Sequence, residues 1–211
     1  MALQTEGKPE SVSGTMALKK GNKNWVVLVL RVVALLATAS ATIVMALNKQ
    51  TKTLVVATIG TTSIKATLTA KFQHTPAFVF FVIANAMVSF HNLLMIATSL
   101  FAHKFDYKVG LAMVAILDML NVGLISGAVN AALFMAQLGK NGNSHARWDK
   151  ICDKFEIFCN HGAGALIASF VGLALMLIIS SISIIKLAKP DQPIFTLFNL
   201  DLYCNFALCF L

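Results

Sequence analysis

Four apolar stretches, each long enough to cross a bilayer, limit what this chain can fold into. The first runs from about Trp25 to Leu47 and the second from about Pro76 to Ala102. The third runs from about Val109 to Leu138 and the fourth from about Gly162 to Ile185. Each exceeds the ~20 residues that cover a ~30 Å hydrocarbon core at ~1.5 Å per residue. Composition agrees: charged residues are 12% of the chain, against roughly 25% in a soluble domain. Mean hydropathy is +0.76. The expected fold is an all-α membrane protein, a bundle of four transmembrane helices with both termini cytosolic.

The organisation follows from these spans. Residues 1–24 form a cytosolic N-terminal segment and 25–186 the membrane domain. The opening residues MALQTEGKPESVSGTMALKK are polar and lack the apolar core of a signal peptide, so the first span reads as a retained anchor. Residues 187–211 form an apolar tail broken by Pro190 and Pro193 and interrupted by Asn199, Asp201 and Asn205. An Asp at a helix centre costs about 3 kcal/mol on insertion scales, so the tail reads as interfacial rather than spanning.

Positive charge barely sets the orientation. With Arg31 set aside and the N-terminus inside, Lys and Arg divide eight against eight between the two sides. Lys49, Lys52, Lys65 and Lys71 in the first connecting loop offset the N-terminal cluster of Lys19, Lys20 and Lys23. Nearest the first span the balance favours an inner N-terminus. Cys152 and Cys159 add a second indication, since both lie between the third and fourth spans. Outside the cytosol they would oxidise to each other; in a reducing compartment they would remain partly buried thiols. His145 and His161 flank the pair without zinc-ligand spacing, and no metal or cofactor is expected.

Two spans carry one buried charge each, Arg31 in the first and Asp118 in the third. An ionisable group in hydrocarbon costs several kcal/mol and needs a partner. Arg31 lies eight residues beyond Lys23, roughly 12 Å along a helix, and Asp118 lies ten beyond Lys108, roughly 15 Å. Helices one and three run in the same direction, so the two groups sit about 3 Å apart in depth. A structural ion pair is the leading reading. His91, Asn92 and Asn121 could extend it, either as contacts between helices or as stations of a proton or ion path.

Small residues recur at intervals of four: Gly123 and Gly127 in the third span, Gly164, Ala168 and Gly172 in the fourth. Such faces let helix backbones approach, within one bundle or between protomers. The first connecting loop is rich in Thr, Lys and β-branched residues and suits a short strand or a lipid-surface segment. In the loop after the third span, Trp148, Phe155 and Phe158 are candidate interface anchors. No nucleophile with an adjacent base and no phosphate-binding glycine loop appears, so no catalytic residue is assigned. The chain has no Asn-x-Ser/Thr sequon and no feature suited to nucleic acid.

The basic entry to the first helix, the run RVVALL with Arg31, the lone Asp118, ATLTAKF with FVIANAMVSFHNLL, and WDKICDKFEIFC together resemble the plant Casparian strip membrane domain protein-like (CASP-like) family. The loop cysteines resemble those of its type 1 subgroup, and the Arg and Asp pair is shared with MARVEL-type four-helix proteins. The resemblance implies a non-enzymatic, multi-pass plasma-membrane protein. It also implies homodimers, heterodimers with relatives, and membrane platforms that recruit wall-modifying enzymes. Two features depart from the pattern: the first outer loop lacks the aromatic-rich signature of the Casparian strip members, and the tail is longer. The alternative function is a small channel or transporter using Arg31, Asp118 and His91. Tetraspanins and claudins are set aside, because the Cys-Cys-Gly motif of the former and the first-loop Trp and Cys signature of the latter are missing.

Overall fold

A computed structural model describes residues 12–101 and 107–188. Helix α1 (Val12–Leu47) leads into a hairpin of β1 (Lys49–Ile59) and β2 (Thr62–Lys71). A single 3₁₀ turn (Phe72–His74) then precedes α2 (Pro76–Phe101), followed by α3 (Tyr107–Asn141) and α4 (Glu156–Leu187). Each helix packs on its neighbours in the chain, and α4 returns to α1, closing a ring in which α1 faces α3 and α2 faces α4 across the interior. The chain is thus a four-helix membrane bundle with one hairpin at an end.

Large apolar side chains cover the outside of the bundle, as lipid-facing helices require. Leu36, Leu47, Phe90, Leu120, Phe134 and Ile167 are exposed. The interior combines a core of Met45, Phe81, Val88, Ile125, Val129, Met176 and Ile179 with small and polar groups: Ala34, Ala41, Ala84, Thr38, Asn85, Asn92, Asp118 and Ser169. Helices in lipid gain little hydrophobic energy from burying apolar groups, so close packing and polar contacts hold this interior together. At Gly172 that approach is tight: a Cβ there would lie 2.6 Å from the Thr38 methyl carbon. Gly127 and Gly164, by contrast, have nothing within 4 Å of such a Cβ, so they face away from the chain's own helices. Ala168 packs against the core.

Helix boundaries have local causes. Pro76 opens α2, where its missing N–H costs nothing, and the Thr75 carbonyl accepts from the N–H groups of Phe78 and Val79. Helix α3 runs three residues past the expected Leu138 and stops at Gly142, whose φ of 67° is the left-handed terminator. A Cβ at Gly142 would also lie 2.7 Å from the Trp148 carbonyl, which pairs with Asn143 to close the loop.

Helix α4 begins at Glu156, six residues before the expected Gly162. Its N-cap residue, Phe155, supplies no side-chain cap; the Gln50 side chain accepts from the Phe158 N–H at 2.9 Å instead. Asn48 donates to the Phe158 carbonyl at 2.7 Å. The base of the hairpin therefore caps a helix more than 100 residues away in sequence, a role invisible to local capping patterns. The early start also corrects the reading of Phe155 and Phe158 as interface anchors. Both are buried, and Phe158 meets Phe78 edge-on with ring centres 6.2 Å apart. Trp148 alone of the three remains exposed.

The first connecting segment forms a regular ladder from Lys49↔Lys71 to Ile59↔Thr62, with a bulge between Val55 and Ala57. This is far more than the short strand expected. Directly opposed residues share a face. Gln50 and Ala70 therefore lie on the face that meets the bundle, and Thr51, Thr53, Thr67 and Thr69 on the other. The threonines are bonded across the strands, 3.0 Å for Thr51–Thr69 and 3.2 Å for Thr53–Thr67. Residues 1–11 and the tail from residue 189, with the expectations attached to them, lie outside the described residues.

Candidate functional site

The charged residues of α1 and α3 meet across the ring. Arg31 grips Asp118 with both terminal nitrogens, Nη2 to Oδ2 at 2.7 Å and Nη1 to Oδ1 at 3.1 Å. Planar bidentate contact of this kind is what a guanidinium offers and an ammonium does not. Arg31 is 5% exposed and Asp118 fully buried.

The other two helices complete the site. His91 on α2 lies 2.8 Å from Asp118 Oδ1, and because a carboxylate only accepts, His91 donates from Nε2. Ser183 on α4 donates to Oδ2 at 3.0 Å. Asp118 thus accepts four hydrogen bonds, two at each oxygen, from three helices. Four is also the lone-pair capacity of a carboxylate. Asn92 borders the cluster: its oxygen lies 3.5 Å from Arg31 Nη1, and its amide nitrogen donates to the Val88 carbonyl and the Met176 sulfur. Asn121 takes no part. It donates to the Leu117 carbonyl of its own helix at 2.8 Å.

A second polar layer, about two helical turns away, was not singled out in the sequence. Ser169 on α4 donates to Asn85 Oδ1 on α2 at 2.7 Å, and the Asn85 amide nitrogen donates to the Phe81 carbonyl. Ser89 on α2 lies 2.8 Å from Thr38 Oγ1 on α1. The signal was present: Asn85, Ser89 and Asn92 fall at spacings of four and three, one stripe of α2. Among the described residues, Asn48 Oδ1 is the one buried side-chain polar atom without a partner, so both layers are satisfied.

At the hairpin end, Cys152 and Cys159 form a disulfide with their Cα atoms 5.7 Å apart. It ties the loop to the first turn of α4 beside Phe158. A cavity of about 840 Å³ opens here, lined by Met45, Leu68, Ala70, Phe78, Phe155 and Leu166 among others. Among the described residues no group of His, Cys, Asp and Glu is placed to hold a metal ion.

The Casparian strip membrane protein domain matches residues 20–175, which include Arg31, His91, Asn92, Asp118 and both loop cysteines. CASP-like protein 1B2 of Populus trichocarpa is 67% identical over 198 residues, 92% of this chain and 98% of its own length. CASP-like protein 1B1 of the same species is 69% identical over 194 residues, 91% and 98% of the two chains. CASP-like protein 1B2 of Arabidopsis thaliana is 65% identical over 167 residues, 78% and 85% of the two chains. No solved structure matches the chain. With the family's domain over most of its length and relatives this similar, the chain belongs to the CASP-like family of Casparian strip membrane proteins, in the type 1 subgroup.

Proposed function

We propose that the protein is a non-catalytic component of the plasma membrane that self-associates, with relatives as well as with itself, and organises a membrane domain to which wall-modifying enzymes are recruited. The observation that carries this reading is the saturation of Asp118. All four acceptor positions of the carboxylate are taken by Arg31, His91 and Ser183, which favours a group fixed as part of the bundle over one offered to a passing ion. The buried pair is then a fastener that fixes α1, α2, α3 and α4 against one another. Gly127 and Gly164, open to the outside of the bundle, supply small-residue faces on which a second protomer can pack. The disulfide supports an orientation with the hairpin and the α3–α4 loop outside the cytosol and both termini inside.

Fluorescence recovery after photobleaching of a tagged copy in the plasma membrane of plant cells tests the proposal. Slow, incomplete recovery within discrete patches is expected. Rapid recovery from a uniform distribution would overturn it. The transport alternative is tested by Asp118→Asn: flux lost while expression and assembly survive would favour a channel over a scaffold.

A further inference from the structure

The hairpin separates its residues by face, and the outward face has a composition found nowhere else on that end of the molecule. From the register, Lys49, Thr51, Thr53 and Val55 share one face with Lys71, Thr69, Thr67 and Lys65. Three lysines and four threonines thus line one surface, with a single apolar residue among them. Residues 48–75 contain no Asp or Glu. Among the described residues none of Lys49, Lys65 and Lys71 has a carboxylate partner. The neighbouring loop is different: Arg147, Lys150 and Lys154 there are balanced by Asp149, Asp153 and Glu156.

The cations are also placed against the fold's own interest. Lys49 and Lys71 are directly opposed across the ladder, an arrangement that destabilises a strand pair. The C-terminus of α1 at Leu47 gives Lys49 a local electrostatic reason to be there. It gives none for Lys71, which precedes the positive N-terminal end of α2, nor for Lys65, nearer the turn of the hairpin. Lys65 lies six steps along the strand from the Lys49–Lys71 pair, roughly 20 Å at ~3.4 Å each. The charge is spread along the strands, from Lys65 to Lys49 and to Lys71, which with Thr69 borders the cavity at the hairpin's base.

We infer that this face binds an extended acidic polysaccharide, with the lysines engaging its carboxylates and the threonine ladder lying along its hydroxyls. A line of cations suits a polymer with repeating charge better than a small anion. The eight residues of this face include no aromatic residue and no Arg, the anchors that protein interfaces rely on. The inference rests on the proposed orientation only for its place in the cell, since the binding itself does not depend on topology.

The test uses the full chain in nanodiscs of zwitterionic lipid, where both faces are accessible, with polygalacturonate as probe and dextran as the neutral control, in the absence of calcium. Binding to polygalacturonate that weakens steeply with salt is expected, with none to dextran. Replacing Lys49, Lys65 and Lys71 together by Thr should weaken it by about tenfold or more. The same change at Arg147, Lys150 and Lys154 should leave it within about twofold. A single Lys71→Glu separates binding from folding: it turns the opposed like charges into an attractive pair, so thermal stability should hold or rise while binding falls. Binding unmoved by the triple hairpin variant would overturn the inference. So would equal binding to dextran, or lysine-dependent attachment to phosphatidylserine vesicles without any to polygalacturonate. The orientation is checked separately by labelling Thr53→Cys with a membrane-impermeant maleimide on intact cells.

Discussion

The two polar layers of the bundle join the same helices by different chemistry. In one, Arg31, Asp118, His91 and Ser183 draw all four helices onto a single carboxylate. In the other, Asn85, Ser169, Ser89 and Thr38 link α2 to α4 and α2 to α1 through neutral pairs. In the neutral layer three of the four groups also donate to a carbonyl of their own helix, so losing one group leaves most of the layer partly bonded. Thr38, Asn85 and Ser89 already make such bonds, to Ala34, Phe81 and Asn85. Arg31 has no such retreat. The charged layer therefore specifies one arrangement of helices, and the neutral layer tolerates several.

The largest expected effect breaks the charged layer from one side. Asp118→Leu leaves the Arg31 guanidinium buried without its anion and should cost about 3–5 kcal/mol. Arg31→Met, which strands Asp118, should cost as much. The double variant removes both charges and should recover most of the stability, because paired apolar replacements of buried ion pairs are often near neutral. Reversible unfolding in mixed micelles would check all three. A double variant as unstable as the singles would mean that His91 and Ser183 require the carboxylate for reasons beyond the ion pair.

A smaller effect probes the neutral layer through packing. Gly172→Ala brings a methyl to 2.6 Å from the Thr38 side chain, which is stiff at χ1 and bonded through its hydroxyl. Strain of about 1–3 kcal/mol should outweigh the ~1 kcal/mol that Ala gains over Gly in a helix. Gly164→Ala, in open space on the same helix, should keep that gain. Thermal stability of the two variants should move in opposite directions. Loss of self-association by Gly164→Ala in crosslinking, at unchanged or higher stability, would assign that glycine to a protomer contact.

How far the sequence reaches differs between these layers for a physical reason. A charge in an apolar span announces itself by cost, so Arg31 and Asp118 stand out, and depth counted from flanking lysines brings them level. The partner Ser183 does not stand out, because a serine in a helix satisfies itself against its own backbone and carries no obligation to pair. The same holds for Ser169 and Ser89. Asn121 shows the converse, a polar residue that stands out yet bonds only its own Leu117 carbonyl. Four helices were legible because span length is local. The start of α4 was not, since it depends on Asn48 and Gln50 reaching Phe158, and the length of the hairpin rests on cross-strand pairing out to Ile59 and Thr62.

The smallest expected effect measures the neutral layer directly. Ser169→Ala removes the donor to Asn85, and Asn85→Ala removes its acceptor while leaving a small void. Hydrogen bonds between membrane helices average about 0.6 kcal/mol with a maximum near 1.7. The coupling energy from the double-mutant cycle should fall in that range, well below what the Arg31 and Asp118 cycle gives. The 2.7 Å contact and full burial of both groups place the expectation in the upper half of the range. A coupling near zero would mean that Asn85 and Ser169 each regain a partner on their own helix when separated. The neutral layer would then act through size, by letting α1 and α4 close at Gly172, and the charged layer would alone specify the bundle.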